Sequence, residues 1–318
     1  MRKFIALALT YAIVQVLIMT NVISGYFQAT LVTVCINIIL AVSLNLITGF
    51  TGQFSLGHAG FMSVGAYVCA LVTMRISTIP GFILGVISGA IAAAILGGLV
   101  GLPTLRLRGD YLAIATLGMS EIVRIIFLNM EITNGAAGLN GIPQFINWTW
   151  LFIFTAGTVL FLANFVKSAH GRACISIRED EIAAEAMGID TIRYKVIAFI
   201  IGAFCAGIAG AVYSSYFYFL KPDLFGFLKS VDVLVIVVLG GLGSMSGSIL
   251  AAILLALIST YLQSFPEIRM VLYSLILVII MIFRPQGLMG SKEISLSVFN
   301  KLGRNKLWNI TKSRKGGL

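Results

Sequence analysis

Apolar and polar positions divide the chain into long apolar runs joined by short polar links. The runs fall near residues 4–20, 28–48, 54–74, 79–102, 111–130, 148–166, 196–217, 230–240, 247–264 and 268–283. A helix needs about 20 apolar residues to cross the hydrocarbon layer. The pattern therefore predicts an all-α membrane protein of about ten transmembrane helices. The eighth run is too short to cross as an ideal helix. It leads into Gly240-Gly241-Leu242-Gly243-Ser244-Met245-Ser246-Gly247, which interrupts an otherwise continuous apolar stretch. Such a break is tolerated at membrane depth only where protein or a wet cavity satisfies the freed backbone, so an interrupted or re-entrant element is expected there.

Composition agrees with the pattern. Apolar residues make up 59% of the 318 and charged residues 11%, against roughly 45–50% and 25% in soluble domains. A soluble enzyme, a disordered tail and a collagen-like fibre are excluded. The net charge of +10 does not point to nucleic acid, because eight of the 22 basic residues lie at or after Arg284, in a short tail beyond the last run. That tail suits anionic membrane lipid on the cytoplasmic leaflet. Cys35, Cys69, Cys174 and Cys205 are scattered without a C-x-x-C pair, so neither a disulfide framework nor a metal site is indicated, and they read as small core residues. Met1-Arg2-Lys3 and the following apolar run resemble a secretory signal but lack a small-x-small cleavage site, which keeps the segment as the first span.

Orientation follows from where Lys and Arg fall in the short loops. With ten crossings, Arg2, Lys3, Arg106, Arg108, the cluster from Lys167 to Lys195 and the tail from Arg284 share one side, the cytoplasm. Arg75, the loop 131–147, Lys221-Pro222-Asp223 and Pro266-Glu267 fall on the other. Residues 1–318 then form a single transmembrane domain with a cytoplasmic loop at 167–195, a basic cytoplasmic tail at 284–318 and both termini inside. Gly49-x-x-Gly52-x-x-Ser55 recurs 191 positions later as Gly240-x-x-Gly243-x-x-Ser246. Two pseudo-repeated halves with paired interruptions are an arrangement that transport folds use around a central site.

Three stretches carry candidate chemistry. The segment 49–61 places Gln53, Ser55 and His58 among glycines in an apolar context, where polar groups are costly unless partnered or hydrated. They serve either tight helix packing through small-x-x-small faces, with Gln53 and His58 bonded to backbone, or a translocation pathway shared with Gly240, Gly241 and Gly243. In the fifth span, Glu121 and Arg124 sit at i and i+3 and form a structural ion pair. Between Lys167 and Lys195, residues 177–189 read as one short helix. Its acids Glu179, Asp180, Glu181 and Glu185 enrich the N-terminal turns, Ile182, Ala186 and Ile189 make an apolar stripe, and Gly188 suits the C-terminal end. A helix this short is marginal unless docked on a partner.

The runs GFTGQFSLGHAGFMSVGAY (49–67), RLRGDYLAIATLGMSEIVR (106–124), ITNGAAGLNGIP (132–143), GRACISIREDEIAAEAMGID (171–190) and VLGGLGSMSGSILAA (238–252) resemble the membrane permeases of branched-chain amino acid ABC importers, the LivM type. The resemblance implies a second homologous permease subunit, two ABC ATPase subunits and an extracytoplasmic solute-binding protein as partners, in a bacterial inner membrane. It implies that Glu179, Asp180, Glu181, Glu185, Ala186 and Gly188 belong to an ATPase-coupling helix. Glu185-Ala186 with Gly188 is a shortened form of the E-A-A-type pattern of such permeases. No G-x-x-x-x-G-K-S/T phosphate loop occurs, so no catalytic residue and no cofactor are expected in this chain. A permease for urea or short-chain amides has nearly the same motifs and remains an alternative. A self-sufficient ion-coupled transporter is a second, although it would want intramembrane acids beyond Glu121.

Overall fold

The computed structural model describes residues 2–20, 25–104, 109–261, 271, 275, 278–279, 282–283 and 287–290. Arg106, Arg108, Pro266, Glu267, most of the expected tenth span and most of the basic tail lie outside the described residues.

Eleven α-helices follow in chain order among the described residues: α1 (Arg2–Met19), α2 (Gly25–Asn45), α3 (His58–Arg75), α4 (Ile79–Thr104), α5 (Asp110–Asn129), α6 (Trp148–Lys167), α7 (Ala169–Glu179), α8 (Glu181–Ala186), α9 (Thr191–Phe217), α10 (Phe227–Gly240) and α11 (Met245–Tyr261). Among the described residues, five helical segments are long and apolar enough to cross a membrane: Gly25–Phe50, Ile79–Thr104, Asp110–Asn129, Trp148–Lys167 and Thr191–Phe217. Shorter apolar helices occur at Leu7–Met19 and Met245–Tyr261. The two-residue strands β1 (Leu139–Asn140) and β2 (Phe219–Leu220) pair antiparallel.

The centre is the packed group α3, α4 and α9, with α2 against α9 and α11. Apolar burial gives little drive between helices in lipid, so close approach through small residues has to supply the contact. A side chain at Gly65 of α3 would stand 2.2 Å from the carbonyl oxygen of Gly207 in α9, and one at Gly210 would stand 1.9 Å from that of Met62. The backbones there leave room for hydrogen only. Helices α5 and α6 turn isoleucines outward, Ile114, Ile122, Ile125 and Ile153 being about half exposed or more.

The two ends of the bundle differ. At one, the loop 168–195 meets Gly49–Phe54 and Gly109. At the other, Arg124 reaches Asp223, β1 pairs β2, and the Gln144 side chain donates to the Tyr216 carbonyl at 2.9 Å.

The expected single helix over 177–189 is corrected to two. Helix α7 begins earlier, capped by Ser168, whose hydroxyl accepts from the Gly171 N–H, and it stops at Glu179. Asp180 has an extended backbone, and its carboxylate accepts from the Ile182 and Ala183 N–H groups at 2.9 and 3.0 Å. That N-cap ends one helix and starts the next.

Candidate functional site: the seam between the two glycine breaks

Helix α2 does not stop at Asn45 but tightens into a π-helical turn over Leu46–Phe50. Residues 52–57 are irregular, and α3 starts at His58. The second break is shorter: α10 ends at Gly240 and α11 begins at Met245. Left-handed backbone at Gly241 (φ 110°) and Gly243 (φ 84°) turns the chain, a conformation open to glycine because it lacks a Cβ.

The fold brings the two breaks together. A side chain at Gly49 would collide with the Gly243 amide nitrogen at 2.3 Å. Asn45, buried completely, stitches the seam. Its Oδ1 accepts from the Gly243 N–H at 2.8 Å, and its Nδ2 donates to the Ser244 carbonyl at 2.9 Å and to Ser248 Oγ at 2.8 Å. The freed end of α10 is satisfied from further along the chain, Leu288 N–H donating to the Leu239 carbonyl and Met289 N–H to that of Gly240. Backbone freed by the interruption therefore finds partners within the protein.

The predicted pathway residues surround this seam in distinct ways. His58 is fully buried, and its Nε2 stands 2.7 Å from Ser43 Oγ. Ser43 Oγ also stands 3.0 Å from the Leu40 carbonyl, and among the described residues His58 Nδ1 has no hydrogen-bond partner. Ser55 is buried, and its hydroxyl accepts from the Gly57 N–H at 3.4 Å. Gln53 is 3% exposed, yet among the described residues neither its amide oxygen nor its amide nitrogen has a hydrogen-bond partner. An unpaired buried amide costs about 1–3 kcal/mol. The expected bonds from Gln53 and His58 to backbone are not found among the described residues, where His58 meets the Ser43 hydroxyl instead. Gly240 faces α11, where a side chain would meet the Gly247 backbone at 2.6 Å.

Next to Gln53 lies a cleft of about 280 Å³ bounded by the first break and the α7–α8 loop. The predicted coupling acids are here, and most are engaged internally. Glu179 pairs with its neighbour Arg178, Asp180 caps α8, and Glu181 binds Lys195 of α9 at 2.6 Å. Glu185 is exposed and has no ion pair among the described residues. Gly188, at φ 81°, closes α8: its N–H donates to the Glu185 carbonyl, and that of Ile189 to Ala184. This glycine answers a demand of its own backbone. Of the predicted stripe, Ile182 and Ala186 are exposed, Ile182 at 75%, and Ile189 is half-buried; Met187 beside them is 83% exposed, whereas Ala184 packs inward. Burial pushes the Cys174 thiol of α7 up to about 11.

The ion pair Glu121–Arg124 is present at 2.7 Å, away from the seam, and Arg124 also bonds Asp223 at 3.0 Å. Asp223, Asn45, Ser43 and Arg178 were not singled out from sequence. Asn45 carried the one available signal, an amide in the middle of an apolar run.

Comparison with known proteins agrees with this architecture. The family described as branched-chain amino acid transport system / permease component matches residues 26–281. The chain belongs to that family. It is 38% identical over 300 residues to the high-affinity branched-chain amino acid transport system permease protein LivM of Escherichia coli, covering 83% of this chain and 70% of that one. LivH of the same organism, a permease of the same transport system by name, is 26% identical, covering 80% of this chain and 92% of its own length. A probable LivM of Methanocaldococcus jannaschii is also 26% identical, with 80% and 91% covered. The protein is thus a multi-pass transport permease component and not an enzyme.

Proposed function

We propose that the chain is one transmembrane subunit of an ATP-driven importer of branched-chain amino acids in a bacterial inner membrane. It pairs with a second, related permease, receives its solute from an extracytoplasmic binding protein, and is driven by two ATPases. About ten crossings, arranged as two pseudo-repeated halves, place both termini and the loop 167–195 in the cytoplasm. The observation that carries this reading is the 38% identity to a branched-chain amino acid permease across most of the chain. The outward apolar face of α8 supports a partner at the loop, since a six-residue helix needs a dock. Urea or amide transport and a self-sufficient transporter are not favoured by the relatives' names.

Gln53, Ser55, His58 and the break Gly240–Gly243 line the pathway in this proposal. A buried amide with no partner among the described residues has a use if solute or water meets it in another state of the cycle. Gln53→Leu removes an unpaired polar group and should leave the assembled complex as stable as before or more so. Reduced leucine uptake by that variant and by His58→Leu, in reconstituted vesicles with copurified ATPases, is the expected result. Normal uptake in both would make these residues packing elements. Purification of the chain without any ATPase, with uptake independent of ATP, would remove the importer assignment.

A further inference from the structure

One side chain of the α7–α8 loop reaches the seam. Arg178 is the penultimate residue of α7, two positions before the Asp180 cap where α8 begins. Its Nη1 donates to the Gly49 carbonyl at 2.8 Å, at the end of the π-helical turn. Carbonyls at a helix C-terminus lack intrahelical partners and carry negative partial charge, so a guanidinium is well matched to them. The same nitrogen stands 2.5 Å from where a side chain at Gly243 would begin, and the Arg178 stem runs 3.3 Å from the equivalent point at Gly52. Glu179 grips the remaining side of the fork, at Nε and Nη2. Arg178 thus touches both breaks at once, and its own orientation is fixed by a neighbour on the same helix.

We propose that Arg178 is the positioning residue that transmits movement of the α7–α8 loop to the seam of the two breaks. The proposal rests on the importer reading above, in which partner ATPases act on this loop. Displacing α7 must either carry the Gly49 carbonyl with it or break a charge-assisted bond beside two abutting glycine backbones. A planar fork with donors in fixed directions can hold Glu179 and Gly49 together, whereas the point charge of lysine cannot hold both in the same geometry.

The test uses the whole complex, with its second permease and ATPases, reconstituted into vesicles. Leucine uptake and phosphate release are measured together. In Arg178→Ala, leucine moved per ATP hydrolysed should fall about tenfold, the scale of one lost hydrogen bond to a charged group. Arg178→Lys should recover part of it. A merely structural role would lower the amount of complex and leave this ratio alone. A ratio within about twofold of the parent in Arg178→Ala overturns the proposal.

Should Arg178→Ala yield no complex, spin labels at the exposed positions Phe54 and Leu242 decide it. Their distance distribution should shift on ATP binding in the parent and shift less in Arg178→Lys, and equal shifts in both overturn the proposal. A parent complex without ATP-driven leucine uptake overturns the importer reading and this proposal with it, whereas a normal parent with an unaffected Arg178→Ala overturns the proposal alone.

Discussion

The two glycine breaks share a spelling and differ in build. Gly49 and Gly240 both sit where a backbone passes too close for any side chain, and Gly52 and Gly243 both adopt left-handed backbone, at φ 72° and 84°. Their surroundings diverge. The first break is a π-helical turn followed by irregular chain that presents Gln53 and Ser55, and the second is a short backbone turn. The clamp is one-sided as well. Asn45 on α2 holds the second break, while the position 191 residues after Asn45 is Ile236, a buried apolar residue. Glycine spacing dictates where the backbone turns or approaches. Side-chain chemistry dictates which break can meet a solute and which serves as its support.

The largest expected effect comes from Gly49→Val. The new side chain would begin 1.8 Å from Asn45 Oδ1 and 2.3 Å from the Gly243 nitrogen, and neither backbone can retreat without undoing the seam. Loss of assembled complex, read by size-exclusion chromatography in detergent, is expected. A stable Gly49→Val complex would mean that the two breaks are not pressed together.

Asn45→Leu should come next. It strands the buried Gly243 N–H and removes both amide donations, at a cost of about 1–3 kcal/mol for each group left unsatisfied. The expected readout is a lower thermal midpoint of the purified complex. Ser248→Ala, which removes one of those acceptors, should produce a fraction of the shift.

On the loop, Glu181→Lys should weaken coupling more than Glu185→Lys. The first reversal faces Lys195, whose side chain is 12% exposed, and the second has no ion-pair partner among the described residues. The half-buried pair contributes about 1 kcal/mol after screening, so a few-fold difference in ATP-driven uptake between the variants is expected. Equal effects would place Glu185 in direct contact with a partner.

The smallest effect is also the cleanest for topology. All four native cysteines are buried. With its pKa at about 11, the loop thiol Cys174 stays protonated and unreactive throughout pH 7–9, because thiolate is the reactive form. The native chain therefore serves as background for single cysteines at the exposed positions Asn140 and Glu185. Only the first should label from outside in intact cells. Labelling at 185 from outside would invert the orientation.

The apolar runs, the placement of Lys and Arg and the glycine spacing are local properties. They determined the helical membrane class and the positions of both breaks, because helix length and backbone freedom depend on the nearest few residues. The division of 177–189 at Asp180 was also written locally, in a capping residue, but a continuous apolar stripe concealed it. Tertiary structure alone decided that the breaks meet, that Asn45 and Leu288–Met289 satisfy the backbone freed there, and that three of the four predicted coupling acids are spent inside the chain. The meeting of the breaks depends on partners 129 to 203 residues away, such as Arg178 for Gly49 and Ser248 for Asn45. Periodicity and spacing carry no information across such separations, because the pairing is set by how the helices pack and not by any one of them.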